Sequence, residues 1–148
     1  MQRRTLFVVG LVSVLWSASA SSATPEAGRF DGRWGVILAC PKAPDGALPW
    51  TFQFTADVKD AMLHGQHGLP GQPGWLSLDG RIQPDGTANL NARGLTGSAH
   101  YNVNQTMDGV PYEHQVTARF DTSRATGNWR AAQSNGQVRI CDFTFSRQ

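Results

Sequence analysis

The chain has 148 residues, with 13 basic and 11 acidic side chains, a formal net charge of +2 and 40% hydrophobic residues. This length allows one domain with its own core. The balanced charge, without a cluster of lysine and arginine, excludes the basic surface by which proteins bind nucleic acid or anionic lipid.

The first residues are typical of a secretory signal peptide. Two arginines precede an uncharged apolar stretch over residues 6–16, and the small-x-small sequence at 18–20 provides a cleavage site. The apolar stretch is shorter than the ~20 residues of a membrane-spanning helix. We therefore expect a periplasmic or secreted protein, cleaved after Ala20 or Ala23, with no membrane span after processing.

Cleavage would divide the chain into a signal peptide over residues 1–20, a small polar tail over 21–28 that we expect to be disordered, and one folded domain over 29–148. The two arginines of the leader leave with it, so eleven basic residues remain against eleven acidic ones. The mature domain then has no net charge and no electrostatic footprint for nucleic acid.

The folded domain shows strand periodicity and no convincing helical period. Apolar residues alternate with polar ones in short segments, which Gly, Pro and Asp-Gly turns separate. The predicted strands are residues 30–40, 50–58, a short return strand at 62–64, 76–82, 87–93, 112–120, 126–130 and 138–146. A further segment at 95–97 leads into Tyr101-Asn102-Val103, and Ser134-Asn135-Gly136 is predicted to form the last hairpin turn.

The clearest hairpin spans residues 74–94, and an irregular loop precedes it. The first arm alternates apolar residues with Ser77, Asp79 and Arg81, which we place on the wet face. The loop, residues 65–74 (GQHGLPGQPG), holds four glycines and two prolines. We expect this loop to stay out of the sheet and to form a mobile rim.

Short strands at a spacing of 8–12 residues predict a β-sandwich or a β-barrel. Because each strand follows its neighbour through a short loop, we favour an all-β fold with a single up-and-down antiparallel barrel of about eight strands. Closure of such a barrel removes its exposed edges. The β-sandwich is the alternative.

A bridge between Cys40 and Cys141 would join the first and last strands of this barrel at its seam. In an oxidising compartment, an even number of cysteines in a small domain usually forms a bridge, although two buried free thiols are the alternative. If the cysteines are cross-strand partners on the first and last strands, their register sets the neighbouring pairs. These pairs are Leu38 with Phe143, Val36 with Phe145, and Trp34 with Arg147.

Gly32-Arg33-Trp34, with Arg147 as the proposed partner on the last strand, resembles the calycin signature of lipocalin-like and avidin-like barrels. In those families a Gly-x-Trp at the closed end of the barrel packs under an arginine from the final strand. The resemblance implies structural roles for Gly32, Trp34 and Arg147. The chain is also similar to uncharacterised small exported bacterial domains with an FDG-x-W start, a resemblance that implies no activity.

His114 is the first candidate for a ligand-binding residue. It shares a face with apolar neighbours, so the alternation directs it into the barrel. Such a histidine either bonds to a neighbouring strand or serves as a polar anchor in a ligand pocket. We assign the ligand-binding site to His114 and Tyr112, with Trp75, His64 and His67 at the rim above them.

His64 and His67 have the spacing of a metal-ligand pair, but a catalytic zinc site needs three protein ligands. The other histidines, His100 and His114, lie on other segments, so we expect no metal and no cofactor. Trp50, Trp75 and Tyr101 lie beside loops. There, aromatic side chains either hold a sugar, a peptide or an apolar ligand, or plug the barrel ends.

The sequence contains no Gly-x-Ser-x-Gly nucleophile motif, no nucleotide-binding glycine motif and no EF-hand loop. We therefore expect an exported, non-enzymatic binding or accessory barrel for a small apolar or sugar-like ligand, or for an envelope protein. One alternative is a secreted protein inhibitor or protein-interaction module. The other is a small hydrolase that uses His114 or His64 with a nearby carboxylate.

Overall fold

The computed structural model describes residues 28–132 and 136–148, which form one antiparallel sheet closed into a barrel. The strands are β1 (Gly32–Cys40), β2 (Trp50–Lys59), β3 (Met62–His67), β4 (Leu76–Ile82), β5 (Thr87–Leu95), β6 (Pro111–Phe120), β7 (Arg124–Ala132) and β8 (Val138–Arg147). Each strand pairs with the next, and β8 pairs with β1. The predicted up-and-down barrel is confirmed, and the sandwich alternative is wrong.

Some of the predicted segments lie outside the described residues. These are the leader over residues 1–20, the tail over 21–28 except Gly28, and both Ser134 and Asn135 of the last hairpin turn. In the described part of the chain, no helix has the length and apolar character needed to cross a bilayer.

The alternation of each strand places one set of side chains inside the barrel. In β1, Trp34, Val36 and Leu38 are buried, whereas Arg33 and Ile37, which have the opposite parity, are exposed. The other strands add fully buried side chains to the same core, among them Leu63, Leu78, Leu90, Val116, Phe143 and Phe145. Burial of such a side chain contributes about 1.5–3 kcal/mol, so the core is a main source of stability.

The seam between β1 and β8 has the predicted register. Trp34 pairs with Arg147, and β1 continues in the same register as far as Ala39 opposite Asp142. A disulfide joins Cys40 to Cys141, with 4.3 Å between their Cα atoms. The bridge therefore closes the barrel where the first strand ends.

The end of the barrel near Trp34, here called the closed end, is filled by side chains. Trp34 has no exposed surface, and its Nε1 donates a hydrogen bond to the Phe30 carbonyl at 2.9 Å. The ring of Phe120 meets Trp34 edge to face at 5.3 Å between centroids. The Arg147 guanidinium lies 5.9 Å from the Trp34 ring centroid, which is the contact that the calycin-like resemblance implied.

The rim loop is shorter than predicted, because β3 continues through His67. Gly65 to His67 pair with Leu78 to Leu76 of β4, so the prediction that these residues stay out of the sheet is wrong. Gly65 is there because β2 approaches closely: a Cβ at this position would lie 2.9 Å from the Ala56 Cβ. A glycine inside a strand often marks such an approach rather than a loop.

Ser77 of β4 also differs from expectation. The alternation of this strand predicts an exposed serine, but only 6% of Ser77 is exposed. Its hydroxyl donates a hydrogen bond to the Asp79 carboxylate. That bond supplies the partner that a buried hydroxyl requires.

Candidate functional site

A cavity of about 720 Å³ opens at the other end of the barrel, here called the open end. Its walls come from the ends of β1, β2, β5, β6, β7 and β8, and its mouth is bounded by loops 41–49 and 96–110 and by Gly74. Ligand pockets are typically 300–1,000 Å³ and mostly apolar. This cavity is within that range.

The inner wall of the cavity is aromatic. Trp50 lies 4.5 Å from Phe52 and 6.4 Å from Trp129, measured between ring centroids. Trp129 in turn contacts His114 at 4.8 Å and Tyr112 at 5.9 Å. These five rings belong to β2, β6 and β7, where the inward parity of each strand continues past the filled core into the open end.

His114 borders the cavity, as the strand parity predicted. Its ring contacts Tyr112 and Trp129, but within the described part of the chain it makes no hydrogen bond. This leaves its ring nitrogens available to a ligand, unlike the alternative of a histidine bonded to a neighbouring strand. Burial lowers the pKa of His114 from its ordinary value of 6.5, so the ring is neutral at pH 7.

Tyr112 borders the same cavity, and Gly94 on β5 makes room for it. A Cβ at Gly94 would lie 2.5 Å from the Tyr112 hydroxyl oxygen and 2.2 Å from the Trp75 carbonyl. Burial raises the pKa of Tyr112 well above its usual range, so the hydroxyl remains a neutral donor and acceptor.

Arg139 of β8 is the charged residue of the cavity wall, and only 3% of it is exposed. Its Nη1 donates to the Tyr101 carbonyl at 2.7 Å. Its Nη2 donates to the carbonyls of Leu48 at 2.8 Å and Cys40 at 3.2 Å. The guanidinium also lies 5.8 Å from the Trp50 ring centroid. Arg139 therefore ties both mouth loops to the barrel.

The 96–110 loop is held mainly by its own hydrogen bonds. It contains two short 3-10 turns, Ala99–Tyr101 and Val103–Gln105. The Asn102 side-chain amide donates to the carbonyls of Gly97 and Thr106 at 2.8 and 2.7 Å. A carboxylate oxygen of Asp45, on the other mouth loop, accepts from the Asn104 backbone N–H at 2.6 Å. The two loops thus form one hydrogen-bonded mouth.

Of the five predicted ligand-binding residues, the structure brings Tyr112 and His114 together in the cavity. His67 points inward but lies behind Phe52, against which it stacks at 3.8 Å. Trp75 lies just before β4, at a position whose side chain faces outward. It borders a separate groove on the outside of the barrel, here called the outer groove. His64 is exposed on the outer face of β3.

Sequence reasoning missed several residues of the cavity, and one of them had a detectable signal. Arg139 shares the inward parity of Cys141 on the last strand, and a charged residue on the dry face of a strand is informative. Trp129 was assigned to a strand but not to the site. The 96–110 loop gave no such signal, because its short turns lack any periodicity.

A polar cluster on the outer face contains a histidine beside a carboxylate, as the hydrolase alternative requires. His64 Nδ1 bonds to one Asp79 carboxylate oxygen, and the Ser77 hydroxyl donates to the other. Arg93 approaches the same carboxylate at 3.8 Å. Since Ser77 bonds to Asp79 and not to His64, the cluster lacks the link between nucleophile and base that activates a serine.

Among residues 28–132 and 136–148, no three His, Cys, Asp or Glu side chains lie close enough together to hold a metal ion.

Comparison with known proteins gives little beyond this geometry. No protein-family model matches the chain, and no curated protein does. The chain is similar to two crystal structures of mutants of the vaccine antigen Transferrin Binding Protein B from Haemophilus parasuis Hp5, at 16% and 15% identity and a TM-score of 0.46 in each case. Each match covers 80% of this chain and 26% of the other, so the chain spans about a quarter of the length of those proteins.

Proposed function

We propose that the folded domain is an exported, non-enzymatic binding module that holds a small, largely apolar molecule in the open-end cavity. The cavity itself is the observation that carries this proposal. Eight-stranded barrels are often just filled by their side chains, yet here about 720 Å³ stays open beside a tightly filled closed end.

The distribution of polar groups supports the same function. Pockets for small molecules combine apolar walls with a few placed polar groups. Trp50, Phe52 and Trp129 supply the walls, while His114 and Tyr112 supply groups that can orient a ligand. This is the arrangement expected of a binding site rather than of a catalytic one, since no acidic residue borders the cavity among the described residues.

A ligand screen by thermal unfolding of the exported protein tests the proposal. A ligand at 100 times its dissociation constant adds about 2.7 kcal/mol of stability, which gives a clear rise in the unfolding temperature. In Ala131→Trp, a large side chain would fill the cavity from β7, and we expect this rise to disappear. Thr126→Trp, which is exposed on the same strand, is the matched control and should retain it.

The proposal fails if no apolar or sugar-like molecule stabilises the wild-type protein. It also fails if Ala131→Trp, folded and with its disulfide intact, binds the ligand as well as Thr126→Trp does.

A second candidate function is docking of a protein partner at the mouth. Five large apolar side chains are exposed on the loops of the open end, with Leu69 and Met107 each 71% exposed. The other three are Leu48, Tyr101 and Val110. Clusters of exposed apolar residues often mark interaction surfaces.

Photo-cross-linking from position 69, with position 62 on the outer wall as the control, would identify such a partner. The partner should cross-link from 69 alone, and once purified it should lose affinity for the double variant Leu69→Ser, Met107→Ser. Equal cross-linking from both positions, or an unchanged affinity, would dismiss this candidate.

A further inference from the structure

The permanent charge on the residues that line the open-end cavity is positive only. Among the described residues that line it, no aspartate or glutamate occurs, and Arg139 is the one with a permanent charge. His114 is neutral at pH 7, because burial lowers its pKa. An entering molecule therefore meets a positive charge at the wall and no carboxylate among the described residues that line the cavity.

The charge of Arg139 has no ion-pair partner in the described part of the chain. Its hydrogen bonds all go to neutral carbonyls, those of Cys40, Leu48 and Tyr101. The carboxylate of Asp45, the acidic group that acts on it electrostatically, is exposed and accepts backbone N–H bonds instead. A buried charge is normally paired, so the structure leaves a place for an anion.

The unpartnered polar atoms of the cavity wall are also of one kind. Within the part of the chain that the structure describes, Arg139 donates three of its five N–H bonds, and its Nε is buried without a partner. Trp129 Nε1 is likewise buried and unpartnered. Both atoms can only donate. Neither nitrogen is exposed to the cavity, but both belong to side chains that line it, and no buried side-chain acceptor among the described lining residues lacks a partner. The wall therefore favours a ligand that carries acceptor oxygens.

The aromatic residues of the wall indicate what the apolar part of that ligand is. Trp50, Tyr112 and Trp129 present flat rings around the cavity, with Trp50 directly beside the Arg139 guanidinium. Aromatic rings pack favourably against one another in tilted and edge-to-face arrangements. A planar aromatic molecule can make such contacts with several of these rings at once.

Building on the proposed function, we propose that the ligand is an aromatic carboxylate. Its carboxylate accepts hydrogen bonds at the Arg139 side of the cavity, and its ring packs among Trp50, Tyr112 and Trp129.

Titration calorimetry with a matched pair of probes tests this proposal. 1-Naphthylacetate carries the carboxylate, and 1-naphthylacetamide has the same shape without the charge. We expect the acid to bind the wild-type protein at least about tenfold more tightly, because charge-assisted hydrogen bonds are roughly twice as strong as neutral ones. The preference should weaken as the salt concentration rises.

Substitutions test whether Arg139 causes the preference for the acid over the amide. Arg139→Gln should bind acid and amide equally, whereas Arg130→Gln, which removes an exposed arginine from β7, should keep the preference. Since Arg139 also holds the mouth loops, Arg139→Lys is the second variant: it keeps the charge and should keep part of the preference. A preference that persists in a folded Arg139→Gln protein overturns the role of Arg139.

The possible failures separate this proposal from the proposed function. If acid and amide bind equally, or the acid binds less tightly, the carboxylate proposal falls and the binding module stands. The same conclusion follows if neither probe binds but a neutral molecule from the thermal screen does. If no molecule binds the cavity, both proposals fall.

Discussion

The two ends of the barrel use the same pair of residue types with opposite results. At the closed end, Arg147 of β8 lies 5.9 Å from the ring of Trp34, and at the open end Arg139 of the same strand lies 5.8 Å from the ring of Trp50. Each arginine also donates to three backbone carbonyls around it. Those of Arg147 belong to Arg29, Asp31 and Thr122.

The difference lies in what surrounds each tryptophan. Trp34 is fully buried and its indole N–H bonds to Phe30, and among the described residues no buried side-chain donor or acceptor at the closed end lacks a partner. At the open end Trp50 is partly exposed to a cavity, and the indole N–H of Trp129 has no partner in the described part of the chain. A Trp–Arg pair by itself therefore indicates neither a filled barrel end nor a binding site, because the space beside the pair decides between them.

Truncation of the two tryptophans should separate the ends most strongly. Trp34→Ala leaves a large void in a filled core and should lower the free energy of unfolding by about 3–5 kcal/mol. Trp50→Ala removes a ring that already borders open space, so we expect a loss of about 1 kcal/mol. Chemical denaturation measures both. Equal losses would contradict the contrast between a filled and a hollow end.

Loss of the disulfide should have the next largest effect. Cys40→Ser should lower the free energy of unfolding by about 2–5 kcal/mol under oxidising conditions, because the bridge joins residues 101 positions apart and restricts the unfolded chain. Reduction of the wild-type protein should give a similar loss, and reduction of the variant none. A reduced variant that is less stable than the reduced wild-type protein would mean that the serine itself disturbs the packing around position 40.

Alanine substitutions of the two arginines should have smaller effects, and these should differ between stability and ligand affinity. Arg147→Ala should lower stability by about 0.5–2 kcal/mol through loss of its cation–π contact and hydrogen bonds, and should alter Trp34 fluorescence. Ligand affinity should stay the same, whereas Arg139→Ala should weaken it. A variant at position 147 that changes neither stability nor Trp34 fluorescence would remove the argument for a calycin-like closed end.

The smallest expected effect is the contribution of His114 to the pH dependence of stability. Because burial lowers the pKa of His114 below 6.5, the unfolded chain takes up this proton at a higher pH than the folded barrel does. Stability should therefore fall as the pH drops through about 6.5 towards the folded pKa. His114→Gln should reduce that slope, and His100→Gln, in an exposed loop, should not. Identical slopes in all three proteins would count against a buried, neutral His114.

The closed end could be predicted from the sequence because it follows the rules of regular strands. Once Cys40 and Cys141 were paired, the period of two placed Trp34 opposite Arg147, and the structure has that register. The inward direction of His114 and Tyr112 followed from the same rule.

The open end was predicted only in part, because loops and ends of strands do not follow that period. The glycines and prolines around Gly65 predict a loop, yet Gly65 is a strand residue where β2 comes close. The position of Trp75 beside that loop predicts a place at the site, yet its parity with Ser77 directs it outward. The hydrogen-bond partners of Arg139 lie 38 to 99 positions away in the chain, a relation that no local pattern encodes.

The indole N–H signals of the described tryptophans can locate a bound ligand, since they report on three separate places in the barrel. Trp34 lies at the closed end, Trp75 borders the outer groove, and Trp50 and Trp129 line the cavity. In a titration of the isotope-labelled protein with a ligand from the thermal screen, followed by nuclear magnetic resonance, we predict shifts for Trp50 and Trp129 alone. Shifts confined to Trp75 or Trp34 would contradict the assignment of the open-end cavity as the binding site.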